Sequence, residues 1–151
     1  MNWEAIGAVS ELIGSLTVVL TVVYLAVQIK QSSKTATSLS TNQSRTAVTD
    51  VMGAISSNTD AVETYTAGLK DRGSLELHER VRFDLIIYQQ LRVVETIFLE
   101  FQKGLMPQEV WESQWNGQRS ILSTNGGRAG WEAQKTFVAK SFMEWVDENL
   151  D

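Results

Sequence analysis

The longest apolar run of the chain lies close to its N-terminus. From Leu12 to Ile29 about 18 consecutive residues carry no charge, and a helix of that length crosses the roughly 30 Å hydrocarbon core of a bilayer. Charged residues bound the run on both sides, at Glu11 and at Lys30. The pattern predicts a transmembrane helix over residues 1–30.

A cleaved signal peptide and a buried core helix are the alternatives for this segment. Signal peptides begin with a basic region and have a shorter apolar core that ends in a small-residue cleavage site. The first dozen residues contain Glu4 and Glu11 but neither Lys nor Arg. This composition favours an anchor that is retained in the protein.

The charges that flank the anchor predict its orientation. Basic residues occur only after it, at Lys30, Lys34 and Arg45, and basic flanks stay in the cytoplasm. We therefore expect the N-terminus to lie outside a cytoplasmic (inner) membrane and the C-terminal part of the chain to lie inside the cell.

One side of the predicted anchor is less apolar than the rest. Residues that step by three and four positions follow the heptad spacing of a left-handed helix seam. We name this set the polar stripe: Glu4, Gly7, Glu11, Gly14, Val18, Thr21 and Gln28, with Leu25 completing the spacing. Small residues let two helix backbones approach, and hydroxyl groups can bond across such a seam. The stripe predicts association of several copies, with these residues facing the oligomer interface or a pore.

Glu11 is the member of the stripe with the largest solvation cost. A carboxylate inside a bilayer costs about 3 kcal/mol unless it meets water, a partner or a proton. An oligomer would turn Glu11 toward a shared axis, whereas a span beginning at Leu12 leaves Glu4 and Glu11 at the headgroups. The sequence leaves both arrangements open.

The remainder of the chain has helical periodicity. Residues 31–58 are rich in Ser and Thr and predict either a continuation of the anchor helix or a linker, and continuation is favoured because no Pro or Gly occurs between Ser15 and Met52. Residues 59–151 predict a helical soluble domain. The predicted fold is all-α: one N-terminal transmembrane helix that continues into a cytoplasmic antiparallel bundle of about four helices.

Capping residues predict where the helices begin and end. The expected boundaries are a capping box at Asp60 and Glu63, a helix end near Lys70, an N-cap at Ser74, a stop at Gly104, Pro107 in a first turn, and a C-cap at Asn125-Gly126-Gly127. The segment from Leu75 to about Lys103 is the longest of these helices.

Apolar positions at helical spacing predict the core. Its expected members are Phe83, Ile87, Leu91, Val94, Phe98, Trp111, Trp115 and Trp145. Leu77, Val81, Leu85 and Tyr88 are expected to widen the apolar face of the long helix. Trp111 and Trp115 lie one turn apart, and packing in the core is favoured over the floor of a ligand pocket.

Composition excludes several kinds of chemistry. The chain has no Cys, which excludes thiol nucleophiles, disulfides and thiolate metal sites. Its formal charge of −5 argues against nucleic acid as a partner. The single histidine, His78, has no second imidazole for a metal site and is interpreted as a solvated first-turn residue. No catalytic, cofactor-binding or metal-binding residue is predicted.

Three carboxylates of the long helix, Asp84, Glu95 and Glu100, are typical of carboxylate-bearing bundles, but the Glu-x-x-His motifs of di-iron proteins are missing from the sequence. Glu95 lies among apolar neighbours and is expected to pair with Arg92 or Arg128. The Asn125-Gly126-Gly127-Arg128 segment lacks the Lys-Ser/Thr ending of a phosphate loop.

Two stretches resemble a known family. The N-terminal Asn2-Trp3-Glu4-Ala5-Ile6-Gly7-Ala8, followed by residues 23–30, resembles the opening of an uncharacterised family of short bacterial proteins. Gly126 to Glu132, a Gly-Gly-Arg-Ala-x-Trp-Glu stretch, and the aromatic tail from Phe137 to Leu150 are similar to its C-terminal part. The resemblance implies a bacterial, single-anchor, all-helical protein and brings no activity, so no site residue follows from it.

Two functions are compatible with these features. The first is a membrane-anchored, self-associating scaffold or accessory subunit, whose partners are membrane lipid, further copies of the chain and another protein of a membrane complex. The alternative is a homo-oligomeric pore or ion conduit lined by the polar stripe. An enzyme is disfavoured because the sequence offers no recognisable nucleophile, motif or metal-ligand set.

Overall fold

A computed structural model describes residues 2–150, apart from the side chains of Glu4, Ala5, Ile6, Val9 and Ser10. The helices are α1 Trp3–Ser56, α2 Thr59–Lys70, α3 Leu77–Gln102, α4 Gln108–Leu122, α5 Asn125–Gln134 and α6 Lys140–Asn149, with short 3-10 helices at Arg72–Ser74 and Lys135–Phe137. Over the described range no strand forms, and the all-α fold class is confirmed.

Helix α1 continues without interruption through residues 31–41, as the lack of Pro and Gly there predicts. The chain divides into two compact units, one ending at Ser38 and one beginning at Leu39. The last third of α1 therefore belongs to the C-terminal unit, where Ile55 is buried and Val48 packs against the core.

Helix α3 is the central element of the C-terminal unit. It contacts α2, α4, α5 and α6, and its inward face carries nine buried residues, among them Phe83, Ile87 and Phe98. Seven of the eight predicted core residues are buried. Trp145 is only half-buried and packs against the edge of the core, 4.7 Å from the Trp115 ring.

Five α-helices follow α1 in the described residues, one more than expected, because the predicted final helix divides at residues 135–139 into α5, a 3-10 turn and α6. The predicted end of α2 at Lys70 is confirmed. So is the stop at Gly104, whose φ of +71° is the left-handed conformation that closes α3.

Three predicted N-termini are displaced. Asn58, rather than Asp60, caps α2 by accepting a hydrogen bond from the Ala61 N–H. Ser74 ends a 3-10 turn that Asp71 caps, so α3 begins later, behind a capping box of Glu76 and Glu79. Pro107 is the N-cap of α4 instead of a first-turn residue.

The prediction that Asn125-Gly126-Gly127 ends a helix is wrong, because these residues begin α5. Thr124 caps the helix by accepting a hydrogen bond from the Gly127 N–H at 3.0 Å. Gly126 is required for a different reason: a Cβ there would lie 1.6 Å from the carbonyl oxygen of Gly68 in α2. The glycine permits direct backbone contact between the two helices.

The apolar face of α3 is narrower than the sequence predicts. Leu77, Val81 and Leu85 are 77 %, 51 % and 57 % exposed, and Phe137 beside them is 63 % exposed. We name these four residues the Leu77 patch. Val81, Leu85 and Phe137 line a shallow surface pocket with Tyr88, whose ring meets that of Phe137 edge-on at 6.5 Å. Leu77 lies one helical turn before Val81 on the same side of α3.

Candidate functional site

The polar stripe lies on the N-terminal half of α1, in the first unit. Gly7, Glu11, Gly14, Val18, Thr21 and Gln28 are all exposed, and the side chain of Glu4 lies outside the described set. A helical repeat of about 100° per residue places the stripe along one side of α1. None of the described residues of this unit covers that side.

Two polar side chains of the stripe are bonded within α1. The Thr21 hydroxyl donates to the Thr17 carbonyl oxygen at 2.8 Å, and the Gln28 amide donates to the Tyr24 hydroxyl at 2.8 Å. A Cβ added at Gly7 or Gly14 would meet no atom within 4 Å. Packing within the chain therefore gives no reason for glycine at these two positions.

One helical stretch of the described chain, Glu11–Ser56, is long and apolar enough to cross a membrane by length and composition. Its most apolar window of 18 residues has a mean hydropathy of 2.2, and no residue of that window is buried.

Glu95 is a structural residue of the C-terminal unit. Its carboxylate, in a residue only 4 % exposed, accepts a hydrogen bond from Arg92 at 2.5 Å and one from the Ala139 N–H at 2.6 Å. Arg92 is therefore the partner, as predicted. Because Ala139 is the N-cap residue of α6, Glu95 also fixes where α6 begins.

The other two carboxylates of α3 are also bonded. Asp84 pairs with Arg72 through two hydrogen bonds of 2.7 and 2.8 Å, which raise the pKa of Arg72. Glu100 accepts hydrogen bonds from the Ser40 and Ser44 hydroxyls of α1, both buried. These contacts join α1 to α3, and sequence reasoning missed them because the partners are about sixty positions apart.

The remaining candidates have structural positions. His78 is exposed in the first turn of α3, 3.6 Å from Glu76. Trp111 and Trp115 are buried and stack at 6.2 Å, which confirms core packing. Among the residues with described positions, no group of His, Cys, Asp or Glu side chains could hold a metal ion.

Sequence reasoning also missed a cavity of about 150 Å³ in the C-terminal unit. It is a groove open to solvent between helices α1, α3 and α4, and its lining includes Val48, Met52, Gln90, Val94, Gly117 and Gln118. No single helix carries a pattern that reveals it. The only local signal is a glycine in the interior of α4.

Two buried glutamines line this cavity. The Gln90 amide donates a hydrogen bond to the Tyr65 hydroxyl at 3.0 Å. Burial raises the pKa of Tyr65 by more than the hydrogen bond with Gln90 lowers it. Gln118 is 5 % exposed, and its Nε2 is buried with no hydrogen-bond partner among the described residues. A buried donor left unpaired costs about 1–3 kcal/mol.

Comparison of the chain with protein-family models, with curated proteins and with solved structures found no match.

Proposed function

We propose that the protein is a membrane-anchored, self-associating scaffold or accessory subunit of a membrane complex. The apolar window of α1 carries the proposal. Its large side chains are exposed on every side of the helix, with Leu16 59 %, Leu20 62 % and Val23 56 % exposed. Each such side chain costs about 1.5–3 kcal/mol when left in water instead of an apolar medium. A bilayer removes this cost for the whole helix at once.

Self-association is supported by the two open glycines of the stripe. A glycine in a helix interior costs about 1 kcal/mol relative to alanine, and no close contact with a described side chain offsets that cost at Gly7 or Gly14. Close approach of a second helix would offset it, because small residues let backbones pack in a bilayer. The second helix belongs to another copy of the chain.

The Leu77 patch supports the role of a partner-binding domain. The exposed side chains of Val81, Leu85 and Phe137 lie together at one surface pocket, with Leu77 one turn away, so they are clustered and not scattered singly. On a domain held at a membrane, such a patch suits contact with another protein of the same complex. Its position in the C-terminal unit leaves the polar stripe free for self-association.

The scaffold is favoured over a pore for a physical reason. A conduit uses polar groups that bind water or ions, and the Thr21 hydroxyl hydrogen and one Gln28 N–H are already donated to groups of α1 itself, which leaves the stripe fewer donors. A packed helix seam does not require polar groups that bind water or ions. Measurement of cation flux through liposomes that contain wild-type protein or Glu11→Gln distinguishes the two. A scaffold gives no flux in either case, and flux that depends on Glu11 would favour the pore.

Alkaline carbonate extraction of bacterial membranes that contain the full chain tests the anchor. The protein is expected to stay in the membrane pellet. The matched variant Val19→Lys/Val23→Lys, which places two charges in the apolar window, should release a large part of it, since each charge costs about 3 kcal/mol at the centre of a bilayer. Equal release of both proteins by carbonate would contradict the proposal.

Orientation is tested on the same membranes. A single cysteine introduced at Asn2 should react with a membrane-impermeant maleimide in spheroplasts, and one at Ser141 should react only after lysis, because the proposed topology places the C-terminal unit in the cytoplasm of a bacterial cell. The reverse pattern would contradict that topology.

A further inference from the structure

The Leu77 patch has the form of a helix-binding surface. Leu77, Val81 and Leu85 follow one another at intervals of four residues along α3, so their side chains form a ridge of about two turns, roughly 12 Å long. Phe137 and Tyr88 lie beside this ridge and complete the lining of the shallow pocket. A second helix packs well against a ridge beside a hollow, with one large apolar side chain placed in the hollow.

The two long edges of this ridge differ in charge. At about 100° per residue, Asp84 and Arg82 lie on opposite sides of it. Asp84 is neutralised by its two hydrogen bonds with Arg72. Arg82 is exposed, and its side chain has no hydrogen bond or ion pair with any described residue. Glu79, one turn before Arg82, accepts the Glu76 N–H in the capping box instead. One unpaired positive charge therefore lies beside the apolar side chains.

The charge of the C-terminal unit argues against lipid as the occupant of the patch. Residues 39–151 carry 11 basic and 16 acidic side chains, a formal charge of −5. The cytoplasmic surface of a membrane is itself anionic and repels a unit of this charge. Surfaces that bind anionic lipid use clusters of about four to eight basic residues, and Arg82 is a single one.

A second copy of the patch is also a poor fit. Antiparallel pairing of α3 with the α3 helix of another copy, about a two-fold axis, places the same edge of each helix side by side. The two Arg82 side chains would then meet as like charges, which opposes association. A carboxylate on a different protein has the complementary sign.

We propose that the Leu77 patch binds an amphipathic helix of another protein, whose apolar side chains recur at i, i+4 and i+7 and whose Asp or Glu pairs with Arg82. This contact rests on the scaffold function proposed above and specifies the chemistry of the partner. A guanidinium can bond a carboxylate through two parallel N–H groups while its stem packs on apolar neighbours. The patch is smaller than the roughly 800 Å² per partner of a stable complex, so anchoring of both proteins in one membrane supplies the effective concentration.

Photo-crosslinking of the full chain in its native membranes tests the proposal. Benzoylphenylalanine is introduced at Leu77, and the cells are irradiated and fractionated. We expect a protein adduct in the membrane pellet whose cross-linked peptide, sequenced by mass spectrometry, has apolar residues at helical spacing and a carboxylate among them. The matched position is Val62, an exposed apolar residue of α2 outside the patch, which should not give this adduct.

Variants of Arg82 test the charge. Arg82→Glu reverses the sign at an exposed position and should lower the adduct yield at least fivefold. Arg82→Lys keeps the charge and should retain at least half of the yield. Lys103→Glu changes the net charge by the same amount at an exposed residue just after α3 and should leave the yield unchanged. Circular dichroism of each variant verifies that the helices are intact.

Several results would overturn the proposal. Adducts only with lipid or only with further copies of the chain would assign a different occupant. Equal yields at Leu77 and Val62, or an unchanged yield in Arg82→Glu, would remove the patch or its charge from recognition. Protein that stays in the membrane pellet without any adduct would refute the helical partner and leave the anchor intact. Recovery of the protein in the soluble fraction would instead refute the scaffold function itself.

Discussion

At the scale of single residues, Glu95 shows how one buried carboxylate organises distant parts of the fold. It joins Arg92 on its own helix to Ala139, the N-cap residue of α6, forty-four positions away from Glu95. The sequence predicted a pair with Arg92 or Arg128, because a carboxylate among apolar neighbours needs a partner, and the structure shows the bond to Arg92. The hydrogen bond from the Ala139 N–H could not be predicted, because any backbone N–H can donate to a buried carboxylate.

Replacement of Glu95 tests this role. Glu95→Ala leaves the Ala139 N–H without its acceptor and should lower the free energy of unfolding by about 3 kcal/mol. Glu95→Gln retains an acceptor oxygen and should cost about half as much. Urea unfolding followed by tryptophan fluorescence measures both values. The control is Glu144→Ala, which breaks an exposed pair with Lys140 and should change stability by less than about 0.5 kcal/mol; an equal effect of Glu144→Ala and Glu95→Ala would refute the assignment.

Replacement by alanine is expected to have opposite effects on stability at Gly126 and at Gly117. Gly126→Ala drives a methyl group into the Gly68 carbonyl and should destabilise the protein by about 2 kcal/mol or more. Gly117→Ala meets open space in the interior of α4 and should be neutral or stabilise it by up to about 1 kcal/mol. Thermal unfolding of the two variants gives the comparison. If both shifted the midpoint in the same direction, the contact between α5 and α2 would be misplaced.

At the scale of the helices, the sequence predicted the periodic apolar positions better than the residues at which each helix begins and ends. The long period of α3 and the stop at Gly104 follow from local chemistry. The Asn125-Gly126-Gly127 segment was misread because glycine is common just after a helix, whereas Thr124 and Gly68 decide its actual role. The cap comes from the adjacent Thr124, whereas the close approach involves Gly68, nearly sixty positions away. No local sequence pattern contains that second contact.

The polar stripe predicts a difference between two faces of α1. Gly14→Leu adds bulk where a second helix is expected to pack and should weaken self-association by at least tenfold. Val23→Phe adds bulk on the side of α1 opposite Gly14, which we expect to face lipid, and should change self-association little, because lipid chains yield where a packed helix does not. Sedimentation equilibrium in detergent measures the oligomer. Equal effects of the two variants would show that the stripe is not the interface.

At the scale of the whole molecule, the all-α class and most of the core could be predicted, because burial of periodic apolar residues is a property of each helix. The exposed Leu77 patch and the cavity could not. Leu77 and Val81 have the same local spacing as buried residues of α3, and their exposure depends on where α2, α4 and α5 pack. The cavity exists only where α1, α3 and α4 meet, and Gly117 alone gave no reason to expect it.

A scan of single cysteines in native membranes tests the anchored, self-associating helix most directly. The chain has no cysteine of its own, so each position from Leu12 to Ile29 can be substituted in turn and oxidised to form disulfides between copies. The protein should remain in the membrane fraction, with dimer yield highest at Gly14, Val18, Thr21, Leu25 and Gln28 and lowest on the opposite face. Recovery in the soluble fraction, or a yield that does not vary around the helix, would contradict this.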